Sequence, residues 1–115
     1  MRDDGSTIDV FLDEARAAQT LANARANGRV AMTIADPVSV RSVQFKGAFI
    51  EAGEATEEDQ AWVLRHREAF VVTTSLVGDP PAIIRGLWMD EVVRLSFHAE
   101  VAFDQTPGPN AGKPL

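Results

Sequence analysis

Residue types that perform chemistry are sparse in this sequence, and their spacing excludes most kinds of site. The chain has no Cys, which excludes thiolate nucleophiles, disulfides and Cys-based metal sites. Its two His, His66 and His98, lie on different predicted elements without a neighbouring His or Cys, so we predict no metal site. The sequence contains no G-x-S-x-G, G-x-G-x-x-G or Walker-type motif, so it does not indicate a hydrolase elbow or a common nucleotide-binding loop.

One group of residues has the chemistry to bind a flat, phosphorylated ligand. Arg16 follows Asp13 in the first turn of a predicted helix, where main-chain amides and a guanidinium can hold a phosphate monoester. Ser42 and Gln44 occupy the polar side of a predicted strand, where short polar side chains can hydrogen-bond a heteroaromatic ring. The alternative is that Arg16 is a solvated helix residue and that Ser42 and Gln44 are the solvent-facing side of an antiparallel sheet.

The helix that would position Arg16 is predicted over residues 13–25. Asp13 is suited to cap the amides of its first turn, and Gly28 suits the left-handed position at which helices end. At helical spacing, the buried side is one narrow stripe of Ala17, Leu21 and Ala24. A stripe of such small residues predicts close packing on a sheet.

Alternating hydrophobicity predicts an antiparallel sheet around this helix. The predicted strands are residues 7–12, 29–35, 40–51 and 93–103, and a hairpin joins the second to the third. In the last strand the odd-numbered residues from Val93 to Phe103 are expected to face the core and the even-numbered ones to face water. The first strand opens at a turn over residues 3–6, and we expect it to lack a partner on one side.

Two more helices and a tail complete the predicted domain. Thr56 and Asp59 fit a capping box for a helix to about Phe70, and residues 71–77 fit either its extension or a short strand. A short helix from Asp79-Pro80-Pro81 would bury Ile83, Ile84, Leu87 and Trp88. The sequence thus predicts one α+β domain, mainly β, over residues 1–103, and a Pro/Gly-rich surface tail over 104–115 that cannot continue a sheet.

Composition is that of a globular protein with no preference for polyanions. Hydrophobic residues make up 45% and charged residues 24% of the 115 residues, enough for one core. The net charge of -6 opposes nucleic acid and anionic lipid, so neither is an expected partner. Because the N-terminus lacks a signal-peptide core and no run reaches about 18 apolar residues, we expect a cytoplasmic protein outside membranes.

Residues 14–51 resemble the middle of the pyridoxamine 5′-phosphate oxidase-like family of FMN-binding split barrels. The family pattern is a helix opening with a basic residue, an Asn near its end, a strand, a turn and an R-x-V-x-x-x-G strand. Here these are Arg16, Asn23, residues 30–34 and residues 41–47. The tail over residues 103–115 is similar to the ending of small bacterial members of the same superfamily.

This resemblance implies an antiparallel split β-barrel and a homodimer with FMN between its subunits. Arg16 would contact the FMN phosphate, and Ala17 would contribute through its backbone. Val10 and Phe11 would lie along the cofactor, and Ser42 would face the isoalloxazine ring or the ribityl chain. The flavin would then carry the redox chemistry of an oxidoreductase, while the protein binds and orients it. The residues identify neither the substrate nor the electron donor, nor do they separate FMN from a deazaflavin.

Two differences from the family keep other functions open. The family's first two strands, which include a basic phosphate-contacting stretch, have no counterpart before the turn at residues 3–6, so the barrel is expected to be partly incomplete. A mis-assigned start codon would account for this. Ser42 replaces a longer amide and a Trp/Arg-rich ending is absent, so conversion of pyridoxamine phosphate is not expected. The alternatives are a non-catalytic split-barrel dimer that has lost cofactor binding, and a binder of haem or another flat ligand.

Overall fold

A curled antiparallel sheet and three helices make up the described part of the chain. The computed structural model describes residues 2–86, 88 and 91–115. Its elements in chain order are β1 (Thr7–Asp13), α1 (Glu14–Asn27), β2 (Arg29–Ala35), β3 (Ser42–Glu54), α2 (Glu57–Ser75), α3 (Pro81–Gly86), β4 (Val92–Asp104) and β5 (Lys113–Pro114). The strand order is β1-β4-β3-β2, and the sheet curls into a half-barrel. The predicted α+β class, with a mainly β architecture, is confirmed.

α1 covers one end of one face of this sheet, and the core lies beneath it. The predicted stripe is confirmed, since its three residues are buried against Ile8, Leu95 and Phe97. Gly28 ends the helix in the left-handed conformation at φ 70°, and its N–H donates to the Ala24 carbonyl at 2.8 Å. We call this covered part of the sheet the near end.

The predicted cap at the start of α1 is wrong. Asp13 is the N-cap residue, but its side chain caps no amide of the first turn. The Glu14 N–H donates instead to the main-chain carbonyl of Glu91, at 2.9 Å. A contact distant in sequence thus replaces the local one, which ties the start of α1 to the segment that enters β4.

The alternation of β4 reverses partway along the strand. Gly47 of β3 pairs with Ala99, whereas Lys46 pairs with Val101, so Glu100 is the extra residue of a β-bulge. Val101 and Phe103 consequently share a face with Lys46, whose Nζ lies 5.3 Å from the Phe103 ring centroid. The prediction that odd-numbered residues face the core is therefore right from Val93 to Ala99 and wrong for the two beyond the bulge.

Gly47 is the residue that permits this bulge. A Cβ atom at position 47 would lie 1.7 Å from the carbonyl oxygen of His98 and 2.7 Å from its carbon. No side chain fits between the two strands there, because both of these atoms belong to the main chain. The glycine at the end of the R-x-V-x-x-x-G pattern therefore has a packing role.

The remaining elements correct several expectations. Thr56 and Asp59 form the predicted capping box, and residues 71–75 continue α2 rather than forming a strand. α3 begins as predicted, but Ile83 is exposed, and Leu87 lies outside the described residues.

The tail was wrongly predicted to take no part in the sheet, since β5 pairs with the end of β4. Ser96, predicted to face water, is fully buried.

The sheet extends well past α1, and this far end is poorly covered. We define the far end as the β2–β3 hairpin, residues 34–43, together with the end of β4. The accessible surface of the described structure is 7478 Å², against about 6,200 Å² for a typical monomer of 12.5 kDa. The radius of gyration is 15.1 Å, where about 13 Å is typical of this length. The chain thus leaves about 1,300 Å² more surface exposed than a monomer of its size normally does.

Candidate functional site

A groove runs between the edge of β1 and the start of α1. Its volume is about 270 Å³, and it is lined by Phe11, Leu12, Asp13, Arg16, Ala17 and Thr20. Phe11, Arg16 and Ala17 are three of the five residues that the family resemblance assigns to the cofactor. They come together because β1 runs directly into α1 without a loop, so the end of the strand and the first two helical turns share one surface.

β1 presents main-chain groups to this groove. The Ser6 carbonyl accepts from Ala99 in β4, whereas the Thr7 carbonyl accepts from Arg2 on the other side of the strand. Because main-chain groups alternate in direction along a strand, those of Asp9 and Phe11 also face the open edge. β1 is an outer strand of the described sheet, so these groups are available to a ligand or to another chain.

Arg16 is the cation of the groove, and acidic residues surround it. Its side chain is 74% exposed, and its Nε lies 3.8 Å from Asp13 Oδ2. Glu14 and Glu91 lie beside it around the start of α1. A hydrogen bond with Glu91, together with the charge of that residue, raises the pKa of Glu14. A phosphate here would meet one guanidinium and helix-start amides within a locally acidic field.

The other two residues of the predicted cofactor site lie elsewhere. Val10 points to the opposite side of β1 from Phe11 and packs against the core cluster. Ser42 begins β3 at the far end, where its N–H donates to Thr106 Oγ1 at 3.0 Å. The length of β4 separates Ser42 from the groove. Asp13, beside the groove, pairs with Val92 at the start of β4, and Val43, next to Ser42, pairs with Asp104 at its end. One chain therefore does not bring Ser42 to the groove at Arg16.

Phe11 also borders a second cavity, which the sequence did not reveal. This cavity has a volume of about 270 Å³ and lies between β1 and α2, lined by Asp9, Phe11, Glu58, Asp59, Trp62 and Arg65. The Phe11 and Trp62 ring centroids lie 5.4 Å apart, and His66 stacks on Trp62 at 5.0 Å and 6°. His66 is therefore a stacked residue of α2. The contact between Phe11 and α2 has no signature in the local sequence.

A polar network beneath the N-terminal turn was also not predicted. Arg2 donates to both carboxylate oxygens of Asp9, at 2.9 and 2.8 Å, and to Ser96 Oγ at 3.0 Å. The hydrogen bond from Arg2 lowers the pKa of Asp9. The alternation of β4 predicted that Ser96 faces water. Ser96 is buried instead, because the N-terminal turn, residues 2–6, lies over this part of the sheet. A sequence contains no signal for such coverage by a distant segment.

Within residues 2–86, 88 and 91–115, no group of three His, Asp or Glu could hold a metal ion. None of the described helices is long and apolar enough to cross a membrane. Comparisons of the chain with protein-family models, curated proteins and solved structures found no match. The groove at Arg16 is the place where the described residues could hold a phosphorylated cofactor.

Proposed function

We propose that the protein is an FMN-binding split-barrel protein that acts as a flavin-dependent oxidoreductase in a homodimer. The observation that carries this proposal is the convergence of Phe11, Arg16 and Ala17 on one groove. The family resemblance assigns all three to the cofactor. An aromatic ring, an exposed guanidinium and the amides of a helix start are the groups that a phosphorylated flat ligand needs.

Each part of the groove has a distinct task in this proposal. Arg16 binds the phosphate together with main-chain amides at the start of α1, which also point away from the body of the helix. Phe11 offers an apolar surface beside the flavin, and the outward main-chain groups of β1 can bond to polar edges of the ligand. Bound FMN would supply hydride and one-electron chemistry, while this chain binds it and fixes its orientation.

The size of the groove supports the two-copy part of the proposal. A volume of about 270 Å³ falls below the range of roughly 300–1,000 Å³ for pockets that enclose a ligand of moderate size. Ser42 lies at the opposite end of β4 from Arg16, so both can touch one FMN only if they come from different subunits. A two-fold dimer would form two such sites and would bury part of the excess surface of each chain.

Titration with FMN tests this proposal. We expect saturable quenching of flavin fluorescence when wild-type protein is added. The Arg16→Ala variant should bind at least roughly tenfold more weakly, because it loses a charge-assisted contact to phosphate. The matched control is Arg25→Ala, since Arg25 is also exposed on α1 but belongs to its last turn. Absence of binding at tens of micromolar protein, or equal affinity of the Arg16 and Arg25 variants, would refute the flavin assignment.

A further inference from the structure

The cavity between β1 and α2 has an aromatic wall that solvent reaches. Trp62 is 47% exposed, and the Phe11 ring lies 5.4 Å from it with the two planes at 44°. A large aromatic side chain contributes most to stability when the chain buries it, so one left accessible in a concave surface is a feature of ligand sites. The aromatic wall is therefore available to a bound molecule.

A second aromatic contact holds the Trp62 ring in place. His66 stacks on Trp62 with the centroids 5.0 Å apart and the planes 6° apart, and the Trp88 ring lies 6.3 Å from His66. This row of rings runs along α2 and fixes the indole before any ligand arrives. A ligand would therefore not have to supply the cost of ordering it.

Carboxylates lie beside the aromatic wall. Asp9, Glu58 and Asp59 line the same cavity. Asp9 pairs with Arg2, and Asp59 belongs to the capping box, where its Oδ2 accepts from the Thr56 N–H at 3.0 Å. The Glu58 carboxylate has no hydrogen-bond or ion-pair partner among the residues that the structure describes. Glu58 is thus the carboxylate that is free to pair with a bound cation.

Arg65 is the cation that lines this cavity. It is exposed and follows Trp62 by three residues, so both lie on the same side of α2. Arg2 and Arg65 together compensate two of the three carboxylates, and one negative charge remains. Arg65 therefore weakens the negative field of the cavity without cancelling it.

We propose that this cavity binds an organic cation through a quaternary ammonium group. Such a group is attracted both to the face of an aromatic ring and to a carboxylate, and it has no N–H that would need a hydrogen-bond acceptor. Phe11 and Trp62 supply the aromatic surface, and Glu58 supplies the charge. A volume of about 270 Å³ suits a head group better than a whole cofactor. The inference goes beyond the proposed function and does not depend on flavin.

Calorimetric titration with choline chloride, at constant ionic strength and without FMN, tests this site. Choline supplies the quaternary ammonium group, and its uncharged carbon analogue, dimethylbutanol, has the same shape without the charge. We expect saturable binding of choline and at least roughly tenfold weaker binding of the alcohol. A peptide with trimethyllysine presents the same head group on a side chain. Tighter binding of the peptide would identify a partner protein as the source, and tighter binding of choline a free small molecule.

Substitutions in the cavity should change the affinity for choline in opposite directions. Glu58→Gln should weaken binding about threefold, whereas Glu57→Gln, in the same helical turn but outside the cavity lining, should leave it unchanged. Arg65→Gln should strengthen binding, because it removes the competing positive charge. Trp62→Leu should weaken it about fivefold through loss of the aromatic face. Circular dichroism checks that α2 stays folded in each variant.

Several results would overturn this inference. Equal affinity for choline and the alcohol would mean that the cavity is merely apolar. Equal affinities of the Glu57 and Glu58 variants, or weaker binding by the Arg65 variant, would show that the charge of the cavity does not act on the ligand. Absence of saturable binding at tens of millimolar choline would also exclude the site. Because no flavin is present, each of these outcomes is separate from the FMN titration.

Discussion

The near end and the far end of the sheet differ in how far other parts of the chain cover them. At the near end, α1 lies on Ile8, Leu95 and Phe97, and the chain completes its own core. At the far end, aliphatic side chains of the β2–β3 hairpin face outward. The comparison indicates that folding of the chain covers the near end and leaves the far end exposed. The predicted ligand groups follow the same division, since Arg16 lies in α1 at the near end and Ser42 lies at the far end.

The largest expected difference between the two ends comes from deleting one phenylalanine in each. Phe97 is fully buried in the core cluster, so Phe97→Ala should reduce the free energy of unfolding by about 3–5 kcal/mol. Phe103 is half-buried and contacts Lys46, so Phe103→Ala should cost about 1 kcal/mol. Urea unfolding of dilute protein measures both. Similar losses for the two variants would mean that the far end has a core of its own.

The next largest effect is expected where the two ends join. Gly47→Ala should destabilise the fold by roughly 3 kcal/mol, because its Cβ would overlap the His98 carbonyl and disturb the bulge. Gly53→Ala, in the same strand, is the control, since its Cβ would meet no atom within 4 Å. We expect the control to unfold at nearly the wild-type urea concentration. If the Gly47 variant did so too, the strand pairing at the bulge would differ from the one described.

A smaller effect is expected from the network that holds the N-terminal turn on β1. Asp9→Asn should lower the free energy of unfolding by about 1 kcal/mol at neutral pH, since it weakens the hydrogen bonds from Arg2. The pKa of Asp9 is lowered in the folded state, so its contribution is fully present above the usual pKa of Asp. It is lost as the pH falls through the lower, folded pKa. Thermal unfolding from pH 7 to pH 2.5 should show the two proteins converging in acid.

The smallest effect is expected from Glu14 beside Glu91. Because the pKa of Glu14 is raised in the folded state, its protonated form is favoured there, and ionisation at neutral pH is unfavourable. Glu14→Gln should therefore raise the unfolding temperature slightly at pH 7. This gain should vanish below the usual pKa of Glu, where the wild-type carboxyl is protonated. A gain that persists in acid would show that the charge of the pair is not its cause.

Sequence patterns predicted the elements that depend on local periodicity. The buried stripe of α1, the left-handed Gly28, the bounds of β2 and the capping box at Thr56 are all confirmed. Each follows from spacing within one element or from the chemistry of one residue type. Three residues that the family resemblance assigned to the cofactor lie together in the groove because β1 and α1 are contiguous in the chain.

The features that the sequence did not reveal depend on contacts between distant segments. The bulge at Glu100 reverses β4, but a period of two gives no sign of an extra residue. Ser96 is buried by a turn more than eighty residues away in sequence. Ser42 was assigned to the cofactor site by resemblance, and the register of three strands was needed to see that it lies at the other end of the sheet.

Sedimentation velocity followed at visible wavelengths, where only the flavin absorbs, tests the central claim most directly. With wild-type protein and FMN in equal amounts, we predict that the flavin sediments with a species of about 25 kDa, twice the chain mass of 12.5 kDa. This result would show that the cofactor binds to a species that contains two copies of the chain. Flavin that does not sediment, or that sediments with a single chain, would contradict the account.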